Sequence, residues 1–330
     1  MAVDIPFSEV VAGTTWQRDA RDWVRQRAED AGLRVTGAIE QPRVRPWSAQ
    51  LVAPTDHDRL WFKANCAASA FEPSLHAVLA DLEPEEVDEP VAIEADRGWV
   101  LTRDRGTTLG ERREPTLADW QRLLATGASM QRRLAAHGPR LLAAGLPDCA
   151  PHTVLARFDS MIERLGALPA DHPSHLPAGH AAVLEDGRGV VEEAVATLSD
   201  SPLPVSLQHG DLHPHNVFEV GETLRVFDFG DAQWSHALEA LAVPYGWLTQ
   251  RSDLPWAEVL AAYCEVWSDL LTRSDIEALL PAAMVTHAVN RSWTWWGATA
   301  QATQAELRDW GDEPLYFLAL ALEPFPPPAN

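Results

Sequence analysis

The spacing of hydrophobic residues changes character near residue 102. Before it, short apolar runs bounded by turn residues dominate; after it, stripes at helical spacing do. A first helix is expected over 15–31, where Trp16, Ala20, Trp23, Ala28 and Ala31 recur at roughly helical spacing and Gly32 can cap the end. Strands are expected over 35–44, 49–53 and 60–64, the last two joined by the turn Pro54-Thr-Asp-His-Asp58. A helix over 71–82, an acidic loop over 83–89 and a hairpin of 91–94 with 98–102 follow. In Leu101-Thr-Arg-Asp104-Arg-Gly106 an apolar strand ends on a glycine that lets the chain turn into a second region.

That region reads as mainly helical, with helices over 117–137, 152–165, 180–198, 237–249, 256–271, 275–299 and 314–322. The first has Thr116 as cap, a stripe of Leu117, Trp120, Leu124, Ala128 and Leu134, and a Gly138-Pro139 stop. Pro281 is expected to break the helix over 275–299, and the Pro326-Pro-Pro328 tail to fray. Two short apolar strands, 204–207 and 223–229, interrupt the helices. Each runs into a polar cluster: His209-Gly-Asp211-Leu-His-Pro-His-Asn216 after the first, Asp228-Phe-Gly-Asp231 after the second.

Composition narrows the picture. A chain of 330 residues can bury two sizeable cores, here 1–102 and 103–330. A formal charge of −22 argues against nucleic acid or an anionic membrane as partner and is compatible with a cationic substrate, although a solvated acidic surface is the commoner explanation. Cys66, Cys149 and Cys264 are scattered, without metal spacing or a disulfide framework. The opening MAVDIPFSEV lacks a basic region and an apolar run, and no apolar stretch approaches membrane-spanning length, so a cytoplasmic protein is expected. Oligomeric state is not legible.

The two polar clusters can bring Asp211, Asn216 and Asp228 together from adjacent loops. Phosphoryl transfer needs little covalent help from a protein; it needs positioned oxygens and neutralised charge. One carboxylate and one amide oxygen, Asp228 and Asn216, suffice for Mg2+, which prefers hard oxygen ligands and keeps several waters. Asp211 is then free to act as base toward a substrate hydroxyl. Its spacing to Asn216 equals that of the H-R-D-L-x-x-x-N catalytic loop, and Asp-Phe-Gly repeats the kinase metal motif. A rival reading makes His209, Asp211, His213 and His215 a transition-metal site of a hydrolase. Against it, the order H-x-D-x-H-x-H is unfamiliar and no H-E-x-x-H is present. His209 is better placed to hold the loop through backbone hydrogen bonds.

His209-Gly-Asp211-Leu-His-Pro-His-Asn216 followed by Phe227-Asp228-Phe-Gly-Asp231-Ala resembles the signature of the aminoglycoside phosphotransferase and choline kinase-like family of small-molecule kinases. In that family Gly replaces the Arg of the kinase triplet, as at Gly210. The resemblance implies an α+β, bilobal protein-kinase-like fold, with a small sheet-containing N-lobe and a larger helical C-lobe, ATP and Mg2+ as cofactors, and adenine bound by backbone at Thr102 and Asp104. It also implies a lysine on the third strand holding the nucleotide phosphates. Lys63 stands there and is the only lysine in the chain. A buried ammonium needs a partner, and Glu72 in the next helix matches the family's lysine–glutamate pair. No G-x-G-x-x-G lies between the first two strands; Arg43-Val-Arg-Pro-Trp47-Ser48 does, and the family's use of a serine hydroxyl makes Ser48 the candidate. Trp47 either covers the nucleotide or fills the lobe's core.

The substrate pocket is expected beside the last helices. There Trp293 and Trp296 share a face, Trp295 lies elsewhere, and Glu239 and Glu265 could form an acidic wall for an amine. The reading is an ATP- and magnesium-dependent phosphotransferase acting on a hydroxyl of a small molecule: an aminoglycoside or other antibiotic, an amino sugar or a related metabolite. The alternative is a nucleotide-binding protein of the same fold without catalysis.

Overall fold

The computed structural model describes residues 5–325, so the Pro326-Pro-Pro328 tail lies outside the described residues. Strands β1 (Glu40–Val44), β2 (Ser48–Pro54), β3 (Arg59–Asn65), β4 (Ala92–Glu94) and β5 (Trp99–Arg103) form one antiparallel sheet in the order β1-β2-β3-β5-β4. Helices α1 (Phe7–Ala12) and α2 (Thr14–Asp30) accompany it, and α2 buries Ala20, Val24 and Ala28. Trp16 and Trp23 of α2 pack against Phe62 and Trp99 of the sheet with ring centroids 5.6 to 6.1 Å apart. Because side chains alternate along a strand, fixing Phe62 and Ala64 in this core sends Lys63 to the opposite face, where it sits across from Gln50 of β2. Helix α3 (Glu72–Leu82) runs behind that face, and its Leu75 and Leu79 join the core of the second lobe.

The second lobe contains α4 (Leu109–Arg112), α5 (Leu117–Leu134), α6 (Gly138–Ala143), α7 (Pro151–Gly166), α8 (Ala178–Asp186) and α9 (Arg188–Ser199). Next come β6 (Val205–Gln208), β7 (Val217–Val220), β8 (Thr223–Val226) and β9 (Gln233–His236), with β6 paired to β9 and β7 to β8. Helices α10 (Ala242–Arg251), α11 (Trp256–Val266), α12 (Arg273–Thr299), α13 (Gln304–Trp310) and α14 (Glu313–Leu320) complete it. One core lies between α3, α5, α11 and the short strands, and another between α7, α9, α12 and α14. The architecture is the expected α+β, bilobal one. Among the described residues no helix is long and apolar enough to cross a membrane.

Several boundaries differ from expectation for local reasons. The strand expected over 35–44 begins only at Glu40, and its register slips between Glu40 and Arg43, around Pro42, which has no amide to donate. The helix over 180–198 is two helices meeting at Gly187, where a Cβ would fall 2.3 Å from Leu322. Gly138-Pro139 starts a new helix rather than stopping one, since proline suits a first turn. The 237–249 segment is a 3-10 turn, Ala237–Leu241, followed by α10. Pro281 does not break α12: it is exposed, so the carbonyl it cannot serve meets water.

Candidate active site

The loop after β6 and the loop after β8 are locked together by their own backbone. His209 spans them: Nε2 donates to the Phe227 carbonyl at 3.0 Å, while Nδ1 accepts the Asp211 amide at 3.3 Å. Burial lowers the His209 pKa, in keeping with a neutral ring. Gly210 has φ +83°, and a Cβ on it would lie 2.0 Å from the Asp231 carbonyl oxygen, so only glycine lets the two loops approach this closely. The Phe227 amide then donates to the Asn216 carbonyl at 3.2 Å.

These contacts place the predicted residues around one cavity of about 950 Å3 between the lobes. Lys63 Nζ lies 2.6 Å from Glu72 Oε2 and 2.6 Å from Asp228 Oδ1. Burial opposes the ammonium's charge, but Asp228 and Glu72 together outweigh it and hold its pKa above the usual lysine value. Burial pushes the Glu72 carboxyl up against the pull of Lys63; for Asp228 the same penalty is outweighed by Lys63, and its pKa falls. Asp228 is the only non-glycine residue with positive φ among the described residues (φ 67°, ψ 66°). Such strain persists where the surroundings over-determine it, here where the carboxylate meets the lysine.

Asp211 Oδ2 accepts from Asn216 Nδ2 at 3.0 Å and contacts His213 Nε2 at 3.2 Å. Burial works against its charge, but His213 and, more distantly, Arg291 bring the carboxyl down to about 2, so it is ionised at neutral pH. The Asn216 amide nitrogen also donates to the Asp211 carbonyl at 2.8 Å, which fixes the side chain on the cavity wall. Asn216 and Asp228 supply hard oxygen atoms to the same cavity, the donor type that suits Mg2+. The histidine-metal alternative fares poorly: both His209 nitrogens are engaged, and His213 Nδ1 accepts the His215 amide at 3.2 Å. Among the described residues no three His, Cys, Asp or Glu side chains gather to hold a metal ion.

Ser48 also lies on the cavity wall, with its Oγ buried and without a hydrogen-bond partner. Thr102 and Asp104 line the cavity, but their expected backbone role needs correction. The Asp104 amide already donates to the Arg59 carbonyl at 2.9 Å, and strand alternation turns the Thr102 backbone the same way, toward β3. Arg103, between them, faces the other way. Trp47 neither fills the N-lobe core nor stays in its own lobe: its ring packs edge-on against Trp295 of α12 at 5.4 Å and Trp310 of α13 at 5.2 Å. The acidic wall is absent. Glu239 is fully buried among Asn290 and Thr286, and Glu265 is exposed away from the cavity.

Two contributors escaped the sequence reading. Arg291 of α12, with its side chain 11% exposed, pairs with Asp231 at 2.7 Å and is close enough to Asp211 to influence it. Its signal was present, since it is the only charged residue in the stretch from Thr286 to Trp296. His213, read from the sequence only as part of the rival metal site, contacts Asp211 at 3.2 Å and packs on Trp247 at 4.7 Å.

No curated protein matches the sequence. Among solved structures, the fold is similar to an ethanolamine kinase from Plasmodium vivax, at 10% identity over 98% of this chain and 96% of that one, with a TM-score of 0.68. It is similar to aminoglycoside 2'-phosphotransferase-IIIa in its GDP complex, at 16% identity over 92% and 98% of the two chains and TM-score 0.57. It is also similar to a choline kinase from Streptococcus pneumoniae, at 12% identity over 91% and 99% and TM-score 0.55. Identities this low establish the fold. Residues 67–274, more than half of the chain, match the phosphotransferase enzyme family. The chain therefore belongs to that family, the small-molecule kinases of protein-kinase-like fold that its two motifs resemble.

Proposed function

We propose that this phosphotransferase moves the γ-phosphoryl group of ATP to a hydroxyl of a small molecule, with residues 1–102 as the nucleotide-binding lobe and 103–330 carrying the catalytic loops. The observation that carries the reading is Lys63, 2.6 Å from both Glu72 and Asp228 on the wall of the cavity that Asp211 and Asn216 also line. Lys63, held by Glu72, would meet the nucleotide phosphates, with the unpartnered Ser48 hydroxyl covering them. The free backbone edge beside Arg103 would take the base. Asn216 and Asp228 would hold Mg2+, which when bound neutralises charge developing on the transferred group. Asp211, ionised and fixed by His213 and Asn216, would accept the hydrogen bond of the acceptor hydroxyl and orient it. The GDP complex of the 2'-phosphotransferase supports nucleotide use in the family; ATP is our assignment for this chain. All three cysteines are free thiols, in keeping with the cytoplasm, where ATP and Mg2+ are at hand.

The test is ATP-dependent mass gain across a panel of hydroxylated compounds, with Asp211→Asn as control. That variant keeps the side chain's size and loses its charge, so turnover should fall by roughly a hundred- to ten-thousand-fold while magnesium-nucleotide binding stays nearly intact. Unchanged turnover would remove Asp211 from the reaction.

A further inference from the structure

The carboxylates on the cavity wall are already committed. Glu72 and Asp228 hold Lys63, and Asp231 pairs with Arg291 at 2.7 Å. Toward the hinge, Asp104 pairs with Arg59 at 2.7 Å and Asp88 with Arg105 at 2.8 Å, while Glu111 caps its own helix through Thr108. Asp211 remains, and it is bonded by Asn216 and His213. The indole faces are occupied as well. The Arg291 guanidinium lies 5.3 Å from the Trp295 ring centre, and Arg164 and Arg157 lie 5.1 and 5.6 Å from that of Trp293. Trp296, the third indole on this wall, packs against the core of α7, α9 and α12.

An ammonium leaving water needs a carboxylate or an open aromatic face in exchange. This end of the cavity offers a cation neither, and places two arginines where it would sit. At this end of the wall, two residues that line the cavity each keep a buried polar atom without a hydrogen-bond partner: the acceptor Gln233 Oε1 and the donor Trp295 Nε1. A hydroxyl satisfies both kinds of atom, whereas an ammonium only donates and a carboxylate only accepts. An anion would in addition face Asp211 and the nucleotide phosphates.

We propose that the acceptor is an uncharged polyhydroxy compound of the sugar or glycoside class, and that Arg164 and Arg291 exclude cationic acceptors. The proposal rests on the reading of the Asp211 end of the cavity as the acceptor site. It departs from the amines for which the ethanolamine and choline kinases of similar fold are named.

The experiment uses the full chain with magnesium-ATP and matched pairs: amino sugars, aminoglycosides and amino alcohols against their N-acetylated, uncharged counterparts, together with neutral glycosides and uronic acids. Phosphorylated product is read by mass and kcat/KM by nucleotide release. Neutral acceptors should exceed their amine partners by about tenfold or more, and Arg164→Glu, which removes one of the two arginines over Trp293 and adds a carboxylate, should narrow that ratio by about tenfold. A cation as the best acceptor, or a ratio that Arg164→Glu leaves unchanged, overturns the charge selection while leaving the phosphotransfer reading in place. Absence of product from every class overturns the site reading itself, and the proposal with it.

Discussion

Replacing Lys63 with methionine, which keeps most of its length and none of its charge, would leave Glu72 and Asp228 facing each other with no cation between them. The Glu72 side chain is 3% exposed and that of Lys63 16%, so the pair is shielded from solvent. Removing one partner of a buried pair costs about 3–5 kcal/mol. Asp228, at 31% exposure, can recover some hydration, which favours the lower end, about 3 kcal/mol. At roughly 2 °C per kcal/mol for a chain of this size, the melting temperature should fall by about 6 °C. The pH dependence gives the sharper signature. Burial already raises the Glu72 carboxyl, and without the ammonium it rises further. A group raised in the folded state contributes stability below its unfolded pKa and loses it as pH climbs through the folded value. The deficit should therefore be small near pH 5 and complete at pH 8. Adding Glu72→Gln removes the stranded charge and should recover most of the loss. Thermal unfolding of Lys63→Met, Glu72→Gln and the double variant at both pH values decides the matter: equal losses at both, or strict additivity, would refute the argument.

Three further outcomes follow, two from the site and one from the core beside it. Asp228→Ala should abolish magnesium-dependent nucleotide binding in calorimetry, because Asn216 alone is a weak anchor for an ion that dehydrates reluctantly; binding that survives would separate Asp228 from the metal. Gly210→Ala must place a Cβ 2.0 Å from the Asp231 carbonyl in a left-handed conformation that itself costs about 1–2 kcal/mol, so it should separate the two loops and depress turnover by more than tenfold, and normal kinetics would show that the loops tolerate the shift. Glu239 is pushed up to about 7 by burial, against the donors Asn290 and Thr286, so the chain should lose stability as pH rises through 7, a loss that Glu239→Gln abolishes and that urea midpoints at pH 6 and 8 would detect.

What could be read from the sequence was what local physics decides. Alternation along β3 put Phe62 and Lys63 on opposite faces, and the capping box at Thr116 and Asp119 starts α5 where the stripe begins. The spacing of Asp211, Asn216 and Asp228 was legible because both loops are short and follow strands. Features set by distant contacts were not. Glycine stands at 187, where two helices meet, because Leu322 fills the space that a side chain there would take. Pro281 survives inside α12 because that side of the helix faces water. The Asp104 amide is lost to a base because Arg59, 45 positions away, takes it first.

Trp47 shows most clearly how the two lobes come to enclose one site. The turn between β1 and β2 lacks the glycines that would let a backbone cradle phosphates, and such a turn must be held in place by side chains instead. Trp47, in that turn, does this by reaching into the other lobe, where it is wedged edge-on against Trp295 and Trp310, which stack on each other with centroids 6.0 Å apart. The Trp47 ring that anchors the turn therefore touches the same indole that Arg291 covers, so the proposed nucleotide and acceptor ends share one side chain. Because Arg291 also pairs with Asp231 and bears on Asp211, the turn, the acceptor wall and the base-bearing loop form one contiguous set of contacts. On the proposed assignment of the two ends, Trp295 is the contact through which a displacement of the turn by nucleotide would reach the acceptor wall, and Trp295→Ala should then weaken any effect of nucleotide on acceptor binding.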